Sequence, residues 1–200
     1  MPIEHITPQI TLVVGAVVVL LAALVLPHRH QGRLAGVAVV TLTLAAATQV
    51  DLVVGDLPRL TFEGVWALDG VTAWATVAMC LAAILVVLLA PEWLRTDPRH
   101  GEYYTIVLLA TLGGSLMAGA ADTIELIVGI ILTGLTGYVL AAYHRGSAAS
   151  TEAGMKLFLV GGLTNSLLLL GVVLLYGIVG TTFYSAVSVG AADTAVLVAI

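Results

Sequence analysis

Apolar residues fall along this chain in long blocks separated by short polar stretches. Six blocks, at 10–26, 34–50, 70–90, 103–120, 123–143 and 155–179, reach or approach the ~20 residues that carry an α-helix across the hydrocarbon layer. A seventh, 186–200, is interrupted by Asp193 and is short for a span, so it reads as a partial seventh helix. Pro58, Pro91 and Pro98 mark turns at helix ends. The pattern predicts an all-α fold, a polytopic membrane helix bundle with about six transmembrane helices in a single membrane domain over 1–200.

Composition agrees. The chain is 60% hydrophobic and 10% charged, against about 45–50% and about 25% for an average soluble domain. A soluble fold this poor in charge could not cover its surface, so the lipid bilayer is the expected surrounding. A net charge of −5 with seven Lys+Arg leaves no basic surface for nucleic acid. Cys80 is the one cysteine, which excludes a disulfide framework, a cysteine-ligated zinc site and an iron–sulfur cluster within the chain. No GxGxxG or GxxxxGK[ST] string offers a dinucleotide or phosphate cradle. The first nine residues carry no Lys or Arg, and Leu26-Pro27-His28-Arg29 offers no cleavage site, so the first helix is expected to be retained as a span.

Lys and Arg gather in the odd loops. Arg29 and Arg33 lie in the first, Arg95 and Arg99 in the third, and Arg145 in the fifth, with Lys156 just beyond. The second loop sets Arg59 against Asp51, Asp56, Glu63 and Asp69, and the fourth holds Asp122 alone. The odd loops are therefore expected in the cytoplasm and the N-terminus outside.

Ionisable groups within membrane spans are rare and usually functional. The cores of the first four spans carry none. The fifth carries Glu125 one turn from its start. The sixth carries Lys156 near its start, with Glu152 one turn earlier, an i, i+4 pair with the acid on the favoured N-terminal side. The plain reading is an interfacial pair whose lysine stem snorkels to the headgroups. The functional reading is a desolvated lysine that holds or releases a proton as its partner moves. Gly129, Thr133 and Gly137 recur every four residues, as do Gly161 with Asn165 and Gly162 with Ser166. They suit close helix packing, or a helix broken at a transport site between Gly129 and Gly137. Thr164, Asn165 and Ser166 are expected to bond across helices. His28, His30, His100 and His144 sit at loops or helix ends, which argues against a membrane haem.

A collinear set of strings carries a resemblance. They are Leu68-Asp69-Gly70, Gly101-Glu102-Tyr103-Tyr104, Ala110-Thr111-Leu112-Gly113, Met117-Ala118 with Asp122, Tyr138 to Tyr143, Glu152 to Leu159, and Leu174-Leu175-Tyr176-Gly177 with Gly180. In order and spacing they resemble subunit N of bacterial NADH–quinone oxidoreductase, an antiporter-like membrane subunit of respiratory complex I. The resemblance implies a subunit of an enzyme that passes electrons from NADH through FMN and iron–sulfur clusters to quinone, with those cofactors on or near other subunits and none in this chain. It implies other complex I membrane subunits as partners and the bacterial inner membrane as the location. It also implies proton translocation, with Glu152 and Lys156 matching the family's E-x-x-x-K.

Two departures stand against that pattern. The family's fifth helix reads G-L-E-L-L-S-L-P; here Gly129-Ile130-Ile131-Leu132-Thr133-Gly134-Leu135-Thr136 sets Ile131 where the glutamate is expected and Thr136 where the proline is. Glu125 is six residues earlier, about 240° around and about 9 Å along a helix, so it is no simple replacement. The chain is also shorter than the family, which implies a truncated or divergent member. Three functions are therefore expected in competition: a proton-translocating subunit, a structural membrane-arm component that no longer conducts protons, or an unrelated secondary transporter of ions or solutes.

Overall fold

The computed structural model describes residues 3–55, 59–94, 100–144 and 146–185. Arg95, Arg99, Arg145, Pro58, Pro98 and the apolar block at 186–200 lie outside the described residues. Six long helices lie among the described residues, in chain order: α1 Thr7–Val25, α2 Leu34–Gly55, α3 Gly70–Trp93, α4 His100–Gly119, α5 Thr123–Ala141 and α6 Ala148–Val179. Local chemistry sets their ends. Pro8 sits in the first turn of α1, where its missing N–H is not needed. Asp69 caps α3 by accepting from the Thr72 N–H at 2.7 Å. Ser147 caps α6, and Gly180 closes it in the left-handed conformation at φ 73°.

Five of the six helices are long and apolar enough to cross a membrane, and α4 falls short. The reason is its place. α4 packs on α1, α3 and α5 and touches α2 as well, so it stands at the centre of the bundle. Its buried residues include Thr105, Thr111 and Ser115. A helix wrapped in protein meets little lipid and tolerates hydroxyl groups that can bond to a neighbouring backbone; Thr105 and Thr111 donate to the carbonyls of Gly101 and Val107. The apolar core lies between α1, α2, α3 and α4, with Leu12, Val19, Leu42, Val87 and Leu108 fully buried. α6 is different. It packs chiefly on α5, and of its residues only Gly154 is buried.

The odd connections share one end. There Trp93 of α3 meets Tyr103 of α4 at a ring-centroid distance of 5.7 Å and His144 after α5 at 4.1 Å, and Tyr103 meets Tyr143 edge-on at 5.3 Å. Aromatic side chains with a polar handle favour the membrane interface. The opposite end carries a small β layer within the loop between the second and third apolar blocks. Strands β1 Arg59–Thr61 and β2 Trp66–Leu68 form an antiparallel hairpin. Its turn runs through positive φ at Phe62 (53°), Glu63 (59°) and Gly64 (97°). The Ala121 N–H donates to Val65 O at 2.8 Å, and the Thr123 N–H donates to Thr182 O at 3.0 Å. The hairpin, the α4–α5 turn and the segment after α6 are thereby tied together.

Candidate functional site

The small-residue stripe on α5 resolves into a close crossing. α5 runs unbroken through Gly129–Gly137, so the helix break considered for this stretch is not present. A methyl group at Gly129 would sit 2.8 Å from Gly113 O, and one at Gly113 would sit 2.8 Å from Thr133 N. α4 and α5 therefore touch nearly backbone to backbone. Gly137 has open space instead. On α6, Thr164 and Ser166 bond within their own helix rather than across to a neighbour, while Asn165 between them is half-buried beside Gly134 of α5. Thr164 donates to Val160 O and Gly161 O, and Ser166 to Gly162 O, within their own helix. The cause is exposure: Thr164 and Ser166 face away from the bundle, and backbone carbonyls one turn back are their acceptors.

Glu152 and Lys156 are brought together. Lys156 Nζ donates to Glu152 Oε1 at 2.5 Å, with the side chains 73% (Lys156) and 64% (Glu152) exposed on this chain. Their level in the bundle follows from two contacts. Ser150 Oγ donates to Ala141 O at 2.7 Å, and Gly154 packs on Ala142, the residue that caps α5. The pair thus stands level with the end of α5, beside the Trp93–Tyr103–Tyr143 aromatic cluster's end of the molecule. Ile131 lies ten residues before Ala141, about 15 Å deeper along the helix. It is half-buried and apolar.

A second polar group gathers at the hairpin end, built from residues that no single motif announces. Gln9 of α1 donates through Nε2 to Ser115 Oγ of α4 at 2.8 Å. Ser115 Oγ lies 3.3 Å from Thr76 Oγ1 of α3. Gln9 is 6% exposed, and Ser115 and Thr76 are fully buried. Thr72, one turn earlier on α3, donates to Ala118 O at 3.0 Å. These bonds lace α1, α3 and α4 together. Beside them Glu125, Gln9 and Trp66 line one cavity of about 250 Å³. Asp122 is buried at the start of α5 with no capping bond from its side chain. Tyr184, just after α6, has its hydroxyl pushed above the ordinary tyrosine range by burial first, then by the Asp122 and Glu125 carboxyls. The sequence reading singled out Asp122 and Glu125 and missed Gln9, Thr76, Ser115 and Trp66. A polar residue within an apolar block is the signal that Thr76 and Ser115 share, and Gln9 stands one residue before the first block.

Comparison with known proteins gives this geometry a setting. Residues 120–197 match the family model described as NADH:quinone oxidoreductase/Mrp antiporter, transmembrane. NADH-quinone oxidoreductase subunit N of Sphingopyxis alaskensis is 33% identical over 181 residues, covering 90% of this chain and 37% of that protein. The subunit N of Rhodospirillum rubrum is 38% identical over 176 residues, covering 88% of this chain and 36% of that protein. The chain thus spans little more than a third of the length of these relatives. Among solved structures, a chain of respiratory complex I from Thermus thermophilus with bound aureothin superposes with a TM-score of 0.72 at 29% identity, over 88% of this chain and 38% of that one. A chain of an archaeal membrane-bound sulfane sulfur reductase shares the fold, with a TM-score of 0.82 at 20% identity over 94% of this chain and 40% of that one. Collinear motifs, helical architecture and identity along nine-tenths of the sequence agree: this chain is a multi-pass membrane protein homologous to subunit N of bacterial NADH-quinone oxidoreductases.

Proposed function

We propose that the chain serves as a membrane-arm subunit of a bacterial NADH–quinone oxidoreductase and contributes to proton translocation coupled to electron transfer to quinone. The observation that carries this reading is the 38% identity to a subunit N along 88% of the chain, with a fold that follows a complex I chain at a TM-score of 0.72. The redox chemistry, with NADH, FMN, iron–sulfur clusters and quinone, belongs in this proposal to other subunits. Further complex I membrane subunits would cover the apolar outer face of α6, where Leu157, Leu163, Leu167 and Leu170 are exposed. The chain would lie in the cell membrane with its N-terminus outside. The Arg29, Arg33 and aromatic end would then face the cytoplasm, and the hairpin end the outside.

Glu152 and Lys156 are the proton-transfer candidates of this proposal. In this reading their ion pair, at the end of a span, would hold a proton near the cytoplasmic entrance. A second reading is favoured by one residue. Ile131 puts an aliphatic side chain where the family pattern sets a carboxyl, and a chain without that carboxyl would be a structural element of the membrane arm. Lys156→Ala separates the two. In the assembled complex, reconstituted in vesicles, a translocating chain should lose a large part of NADH-driven proton uptake on this substitution while NADH oxidation continues. Unchanged uptake with normal assembly would leave the structural reading.

A further inference from the structure

A groove of about 460 Å³ opens at the aromatic end of the bundle, between α4, α5 and α6. It exists because α4 and α5 cross closely while α6 packs chiefly on α5. Glu102 and Ile106 line it from α4, Tyr138 and Val139 from α5, and Met155 and Phe158 from α6. Two of these rings are fixed in place. Tyr138 meets Phe158 edge-on at 6.2 Å, and its hydroxyl rests against Gly161. Gly154 packs on Ala142 at the same level and holds α6 against α5.

The lining changes with depth. Glu102, Thr151 and Tyr143 stand at the end of the bundle, beside Trp93 and Tyr103, at the level of the aromatic belt. Ile106 is about 6 Å deeper than Glu102 along α4, and Phe158 is about 10 Å deeper than Thr151 along α6. The groove is polar at its mouth and apolar within. Glu102 is exposed, and among the described residues its carboxylate has no ion-pair partner. Across the groove, α6 starts at Ala148 and brings the positive end of its dipole beside Thr151. An occupant that fits carries a cation for Glu102, an anion next to it for the helix end, and a hydrocarbon tail. That is the order of groups in a zwitterionic phospholipid. Size agrees. At about 30 Å³ for each water-sized unit, the groove takes roughly fifteen links of an acyl chain. A helix about 10–12 Å across fills roughly 500 Å³ with each turn, so the groove has no room for a spanning one.

We propose that this groove binds a zwitterionic phospholipid, with one acyl chain lying between α4 and α6 and the headgroup cation over Glu102. The lipid fills the wedge that α6 leaves by packing chiefly on α5, and it joins α6 to the rest of the bundle at this end. The site is separate from the leucine face of α6 assigned above to neighbouring subunits. Leu167, nine residues on from Phe158, points about 180° away around the helix. The inference makes no use of the translocation reading and stands without it.

Photo-crosslinking on the assembled complex, reconstituted in vesicles, tests the site. The probe is phosphatidylethanolamine with a diazirine on one acyl chain, added as a trace to vesicles of phosphatidylethanolamine or of phosphatidylglycerol, whose headgroup has no cation. Leu24 of α1 and Leu89 of α3, 80% and 73% exposed, report ordinary contact with bulk lipid. The expected result is label on Ile106, Met155 or Phe158. Relative to Leu24 and Leu89, that label should be about fivefold stronger in phosphatidylglycerol, which competes poorly for Glu102; an exposed charge pair supports a preference of about this size. Glu102→Gln should abolish the difference between the two vesicles. Val139→Trp, which fills the groove from a half-exposed position, should lower the groove label and leave Leu24 and Leu89 as they were. No label in the groove, equal label in the two vesicles, or a preference that persists in Glu102→Gln overturns the proposal. The two readings separate cleanly. Loss of the groove label removes the lipid site whatever proton uptake does, and uptake insensitive to Lys156→Ala removes the translocation reading and leaves the site.

Discussion

Single residues decide how closely these helices approach. Gly129 and Gly113 allow α4 and α5 to cross with a methyl group's width removed from the contact. Gly129→Leu would drive a side chain into Met117 and the Gly113 carbonyl. Overpacking of this kind costs about 1–3 kcal/mol, and thermal unfolding in detergent should shift downward accordingly. Gly137→Ala, a step of two turns along the same stripe, meets open space and should not lower the unfolding temperature. The contrast shows what sequence spacing can and cannot say. Gly129, Thr133 and Gly137 share one stripe by arithmetic, but the crossing of α4 uses only its first half. The Glu152–Lys156 pair was legible, since i, i+4 order depends on nothing beyond the helix. An exposed pair contributes about 0–1 kcal/mol, so Lys156→Ala should leave unfolding of the isolated chain nearly unmoved. The Gln9–Ser115–Thr76 seam was not legible. Its members are separated by 106 and 39 positions, and only three-dimensional packing aligns them.

At the scale of elements, ends are where sequence and structure part. Hydropathy locates the apolar middle of a span and stops where polarity begins. α6 begins at Ala148, seven residues before the apolar block at 155, because Ser147 caps a first turn that is polar and still helical. The three-residue strands β1 and β2 are too short to carry an alternation that a sequence could announce. Their stability comes from docking on the Ala121 backbone. Asp69 links the two kinds of element, since it follows β2 and caps α3. Asp69→Ala removes the bond to the Thr72 N–H and should destabilise the fold by about 0.5–2 kcal/mol, read as a lower unfolding temperature. Asp69→Asn keeps an acceptor at the cap and should recover most of that loss.

For the whole molecule, the class of fold was legible because lipid imposes it: a chain this apolar has to satisfy its backbone within helices. The arrangement of the helices was not, since hydropathy treats every span alike. Topology is open to direct measurement. Cys80 is fully buried, so a single introduced cysteine reports with little background. A cysteine replacing His30 should react with an impermeant reagent only from the cytoplasmic side, and one replacing Glu63 only from outside. The reverse pattern would invert the proposed orientation. Assembly has its own test. Native electrophoresis after gentle solubilisation should find the chain in a large complex with NADH dehydrogenase activity, because the exposed leucines of α6 offer a broad apolar face for neighbours. Recovery as a stable lone particle under the same conditions would contradict membrane-arm membership.

The central position of α4 has a consequence for how such a protein is made. A segment carrying Glu102, two tyrosines and Thr105 in its first half, and Thr111 and Ser115 in its second, gains less from entering lipid than its neighbours do. Partitioning into the bilayer during synthesis is therefore a weak step for this segment alone, and an easy one once α1 and α3 present a partly assembled groove. Ribosome-bound chains stalled far enough beyond Gly119 for α4 to have cleared the exit tunnel should leave α4 accessible to soluble reagents when the first helix is deleted, and protected when it is present. Biogenesis would then follow the packing order of the finished bundle, with its least lipophilic helix arriving into a place its predecessors have already made.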